Sequence, residues 1–317
     1  MRIDQASYLT GRSAGVLSRI LEVCPLFQYA DFRRDPSEYG NIPDKSTFTG
    51  SSARAEGASA QKDAQIPSPA YKKLAIYERE ITIDNLRKLD TRITGSPNGL
   101  KLFGDRQLNA LAVKLGQEVQ IDMFQGTDSS NRMLGISNFV KDAAAGGQTA
   151  ALGFTTTEQA AMNYQVSLQL NTTANQDAFV EILFKQLLNV PGANAIICNA
   201  NLGARLTTIA KRIGAAGETL NSFGIPVNTF NNVPIVVVDT NTITQTESDG
   251  TNTDCTSLYI VRFGEELGVT FVTNSGFYFE DFPEDVQNPD MKARLGFYLN
   301  LAVERVDALR RLSRIRL

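Results

Sequence analysis

The stretch "RLGFYLNLAVERVDAL" limits what this chain can fold into more than any other. Leu295, Phe297, Leu299, Leu301 and Val303 fall at strict period two, which over that span predicts a long, half-buried antiparallel strand. Just upstream, "SLYIVRFGEELGVTFVTNSGFYFEDF" predicts two or three more strands. "EDFPEDVQNPDM", with two prolines and five acidic residues, reads as an exposed tip between them.

The best-marked helix lies earlier, in "TGSPNGLKLFGDRQLNALAVKLGQEVQIDMFQG". Ser96 suits the N-cap, Pro97 the first helical position, and Gly126 the residue past the end. Leu108, Leu111, Leu115 and Val119 make an apolar stripe on a helix roughly 40 Å long. A strand, Ala75 to Thr82, precedes it. From about residue 132 the pattern is mixed: a helix stopped at Pro191-Gly192, then the short buried strand "ANAIICN". Next comes a helix with Leu202, Leu206, Ile209 and Ile213 on one face and Gly214 as its stop. "VNTFNNVPIVVVDT" reads as a hairpin turning at Asn231-Asn232. "RVDALRRLSRIRL" reads as a closing edge strand with one charged face.

Two segments fit no layer. Residues 1–37 hold one short amphipathic helix (Val16, Leu17, Ile20, Leu21) that needs another surface to lie on. Gly40–Pro69, "GNIPDKSTFTGSSARAEGASAQKDAQIPSP", has only Ile42, Phe48 and Ile66 as large apolar residues, too few to offset the entropy of ordering it. Loops this long inside compact proteins are functional or disordered. A chain with extensions that pack on nothing of their own is expected to find the missing contacts in copies of itself.

Composition narrows the chemistry. The chain has 317 residues, 42% hydrophobic and 21% charged, enough for a sizeable core in one large or two medium domains. It has no histidine, so the commonest general base and the usual zinc ligand are missing. Cys24, Cys198 and Cys255 are odd in number and far apart, which predicts buried free thiols rather than a disulfide framework. A net charge of −3 argues against a basic surface that grips nucleic acid. No run is apolar enough for a membrane span or signal peptide, so cytoplasmic synthesis of a soluble product is expected. "GAAGET" and "AAAGGQ" lack the P-loop pattern, and the tip acids lack EF-hand spacing. Asp239, at the end of "VPIVVVDT", is the one residue placed as in an α/β enzyme, with no base or metal-ligand cluster beside it.

The order of these parts resembles the major capsid proteins of tailed double-stranded DNA phages, the Hong Kong 97-like fold. An arm and a long polar loop come first, then a strand into a long helix ending "FQGT" and followed by "LGIS". "ANAIICNANLGARLTTI", "FGIPVNTFNNVPIVVVDT", "SLYIVRFGEELGV" and "GFYLNLAVERVDALRRL" then follow in that family's order. The resemblance spans nearly the whole chain and implies an α+β fold. Residues 1–37 would be an N-arm and 38–70 an extended loop. Residues 71–131 and 264–305 would form a peripheral domain with a long spine helix and β hairpin, and 132–263 and 306–317 an axial α/β domain.

It implies further a structural, non-enzymatic protein without cofactor or metal, self-assembling as pentamers and hexamers into an icosahedral shell around DNA. The loop would lie across a neighbouring subunit, anchored by Ile42, Phe48 and Ile66. Pro283, Glu284, Asp285, Asn288 and Pro289 would meet their counterparts at a three-fold tip. Lys45, Lys62 and Asn288 are candidates for the lysine–asparagine cross-link that locks the family's type member. Only a short arm precedes the loop, which implies a separate scaffolding protein. A portal, a decoration protein and packaged double-stranded DNA on the inner face are the other implied partners, with assembly in the host cytoplasm and residence in the virion. An encapsulin, the shell of a cellular nanocompartment, shares the fold and is the alternative. An α/β enzyme using Asp239 is the remote one.

Overall fold

The computed structural model describes residues 19–43, 69–83, 97–129, 131–140, 152–221, 224–282 and 291–317. Its first sheet is built around β13 (Met291–Val303), the strand demanded by the period-two run. β4 (Ala75–Ile83) pairs antiparallel with residues 291–299 of β13. β12 (Phe277–Phe282) pairs with 292–297 and β11 (Val269–Thr273) with 300–303, both antiparallel. β1 (Phe32–Arg34) lies parallel to β11.

Leu295, Phe297, Leu299, Leu301 and Val303 are all buried, as the alternation requires. The opposite face changes character along the strand. Lys292, Arg294 and Tyr298 are partly open, whereas Asn300 and Ala302 are buried. The strand is therefore half-buried only at first. Past residue 299 both faces are covered, because Tyr39, Leu74 and Val272 pack on the side of Ala302.

The second sheet has seven strands in the order β5-β14-β10-β6-β9-β8-β7. These are β5 (Asn163–Gln165), β14 (Leu309–Arg316), β10 (Cys255–Val261), β6 (Ala195–Asn199), β9 (Val233–Val238), β8 (Pro226–Phe230) and β7 (Ala216–Leu220). Alternation along its central strands divides two cores. Ile196, Cys198, Leu258, Ile260 and Leu312 pack against Phe179, Leu183, Leu202 and Leu206 of helices Thr173–Leu188 and Ala200–Ile213. Ala195, Ile197, Tyr259, Val261 and Leu309 belong instead to the core that holds the long helix and the first sheet. The two sheets thus share one apolar core.

Local chemistry explains the elements. Asn199 caps helix Ala200–Ile213, its Oδ1 accepting from the Leu202 amide at 2.9 Å, and Gly214 ends it in the left-handed region at φ 71°. Asn231 and Asn232 both have positive φ, 48° and 64°, as a two-residue hairpin turn requires. The long helix runs from Pro97 to Gln125, with Gly126 just past its end. Leu108, Leu115 and Val119 are buried and Leu111 is partly so. Ser96, the expected N-cap, lies outside the described residues.

Three expectations change. The first extension does find a surface within its own chain from residue 20 onward. Ile20 and Cys24 are fully buried against the long helix at Gly116, and Phe27 stacks on Phe32 with ring centroids 5.9 Å apart. The closing strand is not an edge, because β14 pairs antiparallel with β10 and parallel with β5. Ile213 is exposed, unlike Leu202, Leu206 and Ile209 earlier on its face.

Candidate assembly surfaces

The long polar loop leaves from a fixed root. β2 (Glu38–Asn41) and β3 (Ala70–Lys73) form an antiparallel pair, Glu38 opposite Lys73 and Asn41 opposite Ala70. A two-stranded ribbon this short has little stability of its own. It is held by polar side chains on the far half of β13. The Tyr39 hydroxyl donates to the Leu301 carbonyl. The Asn41 amide donates to the carbonyls of Leu152 at 2.7 Å and Val303 at 2.9 Å, and its Oδ1 accepts from the Val303 N–H at 3.1 Å. On the other strand, Asn300 Nδ2 donates to the Lys73 carbonyl at 2.6 Å, and Lys72 pairs with Asp128. Burial pushes the Tyr39 phenol well above its ordinary range, so it remains a donor.

The root's outer face is open, with Glu38 opposite Lys73 and Gly40 opposite Tyr71, all but Gly40 exposed. Tyr71, opposite Gly40, is 68% exposed, and Ile42, where the loop departs, is 50% exposed. Ile76 on β4 is 56% exposed. Of the loop anchors expected from sequence, Ile42 is thus accessible. Phe48 and Ile66 lie outside the described residues, as do Lys45 and Lys62. The tip residues Pro283, Glu284, Asp285, Asn288 and Pro289 lie outside them too. Tyr71 was missed. The signal was the short alternation of "AYKK", legible only once its pairing with "EYGN" is known.

Two partly buried ionic clusters join the parts. Arg33 on β1 reaches Glu304 at 3.1 Å and Asp35 at 3.2 Å, where β13 passes towards β14. Burial raises the Glu304 carboxyl, and Arg33 opposes that rise. Behind the second sheet, Arg311 Nη2 donates to Glu247 at 2.8 Å and its Nε to Ser257 at 3.0 Å. Ser257 in turn donates to Glu247 at 2.5 Å. The Arg311 guanidinium also lies 5.8 Å from the centroid of the Tyr259 ring. These contacts pin the loop after β9 to the chain's closing strand.

Asp239 is exposed at the end of β9 and turns back on its own chain. It accepts from Thr240 Oγ1 at 3.2 Å and from the Asn241 amide and side chain at 3.3 and 3.1 Å. That is the work of a turn-forming aspartate. Among the described residues, no three His, Cys, Asp or Glu side chains converge to hold a metal, and no helix is long and apolar enough to cross a membrane.

No protein-family model matches the chain, and no curated protein matches it in sequence. Solved structures do match in shape. The SrpI encapsulin of Synechococcus elongatus superposes with a TM-score of 0.59 at 14% identity, over 98% of this chain and 89% of its own. The capsid of a native GTA particle gives 0.59 at 12% identity, over 92% and 90%. The capsid of the cyanophage P-SCSP1u gives 0.52 at 13% identity, over 90% and 86%. These neighbours are all shell proteins. The chain has the α+β fold they share, the Hong Kong 97-like fold.

Proposed function

We propose that this chain, with its Hong Kong 97-like fold, is the major capsid protein of a tailed double-stranded DNA phage. It assembles as pentamers and hexamers into an icosahedral shell. The observation that carries this reading is likeness to shell proteins over at least nine-tenths of the chain. The loop root supports it: β2 and β3 are hydrogen-bonded to β13 and leave Ile42 and Tyr71 exposed.

In this reading residues 1–37 are the N-arm, 38–70 the extended loop, 71–131 with 264–305 the peripheral domain, and 132–263 with 306–317 the axial domain. Ile42, Phe48 and Ile66 contact the adjacent subunit. Pro283, Glu284, Asp285, Asn288 and Pro289 meet at three-fold axes, and Lys45 or Lys62 with Asn288 is the pair to examine for a cross-link. A separate scaffolding protein and a portal assist assembly in the host cytoplasm, and the virion's DNA lies against the inner face without sequence specificity. Many modest interfaces fix such a shell although each alone is weak.

The encapsulin reading stands second, favoured by the likeness to SrpI over 98% of the chain. Electron microscopy of purified particles, with analysis of their contents, separates the two. Closed shells with nuclease-protected DNA support the phage capsid, and shells holding an enzyme support the compartment. A chain that sediments only as a monomer or dimer sinks both.

A further inference from the structure

Resting on the shell-subunit reading, we infer that the outer face of helices Thr173–Leu188 and Ala200–Ile213 lines the lumen and meets the phosphates of packaged DNA. These helices cover one face of the second sheet, whose other face is buried in the core shared with the first sheet. Their solvent side is therefore an outer skin of the folded chain. On helix Ala200–Ile213, Arg205, Thr208, Lys211 and Arg212 lie away from the buried Leu202, Leu206 and Ile209, and the helix has no Asp or Glu. Lys185, exposed near the end of the other helix, adds a fourth cation. Arg212 pairs with Asp177 at 2.6 Å, whereas Lys185, Arg205 and Lys211 have no carboxylate partner among the described residues. Elsewhere exposed cations do pair, as Arg79 does with Glu118 and Arg316 with Asp254.

The helix dipole favours Lys185, Lys211 and Arg212, which stand in last turns, but it offers nothing to Arg205 in mid-helix. Like charges gathered on one face repel each other, and a polyanion laid across them removes that repulsion. The chain as a whole has a net charge of −3, so its surface elsewhere is on balance acidic. A duplex enclosed with many copies therefore settles against this face. Such contacts read no base sequence and are screened over about 10 Å at 0.1 M salt. Few cations per subunit keep each contact weak, so many copies hold the DNA together while it stays free to leave.

The test acetylates wild-type shells of the full chain, with and without DNA inside, and reads each lysine by mass spectrometry. Lys185 and Lys211 are expected to react at least about threefold more slowly in filled shells, because an ammonium held by phosphate must first give up that contact. The protection is expected to vanish in about 1 M salt. Equal rates in filled and empty shells overturn the inference, as they would if the face were covered by another copy. Protection that persists in high salt also overturns it, since a change of shell shape would then be the cause. Sidedness is read separately with T208C, whose native hydroxyl bonds only within its own helix, to the Ala204 carbonyl at 2.9 Å. The native cysteines are buried, so biotin-maleimide tags the new thiol alone. Streptavidin, too large to enter a closed shell, is expected to capture the tag only after disruption; capture of intact shells overturns the inference. If T208C does not assemble, the wild-type acetylation decides. Wild-type protein that never forms shells overturns the shell reading and this inference with it, a different result from DNA-filled shells whose lysines are unprotected.

Discussion

Gly116 faces the N-terminal segment so closely that a Cβ there would stand 3.0 Å from Ile20 Cγ2 and 3.1 Å from Cys24 Sγ. G116A is expected to be near neutral, because alanine gains about 1 kcal/mol in a helix and the contact gives back a similar amount. G116L is expected to cost roughly 1–3 kcal/mol in denaturant titration by forcing the segment away. The thiols report the same packing. Burial pushes Cys24 and Cys198 up to about 12 and raises Cys255, so none should react with a thiol reagent at neutral pH until the chain unfolds. Rapid labelling of the folded protein would contradict this.

Asp122, buried at the end of the long helix, accepts from the Tyr77 hydroxyl at 3.0 Å and from Arg132 at 3.3 Å. Burial nevertheless raises its carboxyl above the ordinary 3.8. The folded chain then holds this proton more tightly than the unfolded one. Its stabilising effect is complete below about pH 4 and is lost as the pH rises through the raised value. D122N keeps an acceptor for Tyr77 and has no charge to desolvate. Its stability relative to wild type should therefore improve as the pH rises from about 4 towards neutrality, in denaturant titrations across that range; a flat difference would refute the assignment.

At the scale of elements, periodicity was the reliable guide. β13, the long helix, the two helices of the second sheet and the Asn231-Asn232 turn stand where the pattern of apolar and capping residues predicts. What the pattern could not give was pairing. Whether "RVDALRRLSRIRL" forms an edge depends on β5, a three-residue strand too short to read from sequence. Whether residues 20–34 are free depends on Gly116, which read only as a weak point in a helix. The loop itself makes an element-scale prediction. Unassembled subunits should be nicked by protease within 45–65 while shells resist, and equal cleavage in both states would mean that the loop is only a linker.

For the whole molecule, the core is continuous: the long helix, the first sheet and one face of the second bury their apolar side chains together. A chain held that way is expected to unfold in one transition in calorimetry. Two separate transitions would show that the lobes are independent.

The sequence by itself determined the longer elements, the order of parts and, through the absence of histidine, the histidine chemistry the chain does without, because periodicity, capping and side-chain inventory are local properties. Which strand has a neighbour, how Asn41 binds the loop root to β13 and Arg33 binds β1 to Glu304 past its end, and that Asp239 turns back on its own chain were decided only by tertiary structure. Those contacts join residues up to 271 positions apart, and no local signal marks which distant partner a polar side chain will meet.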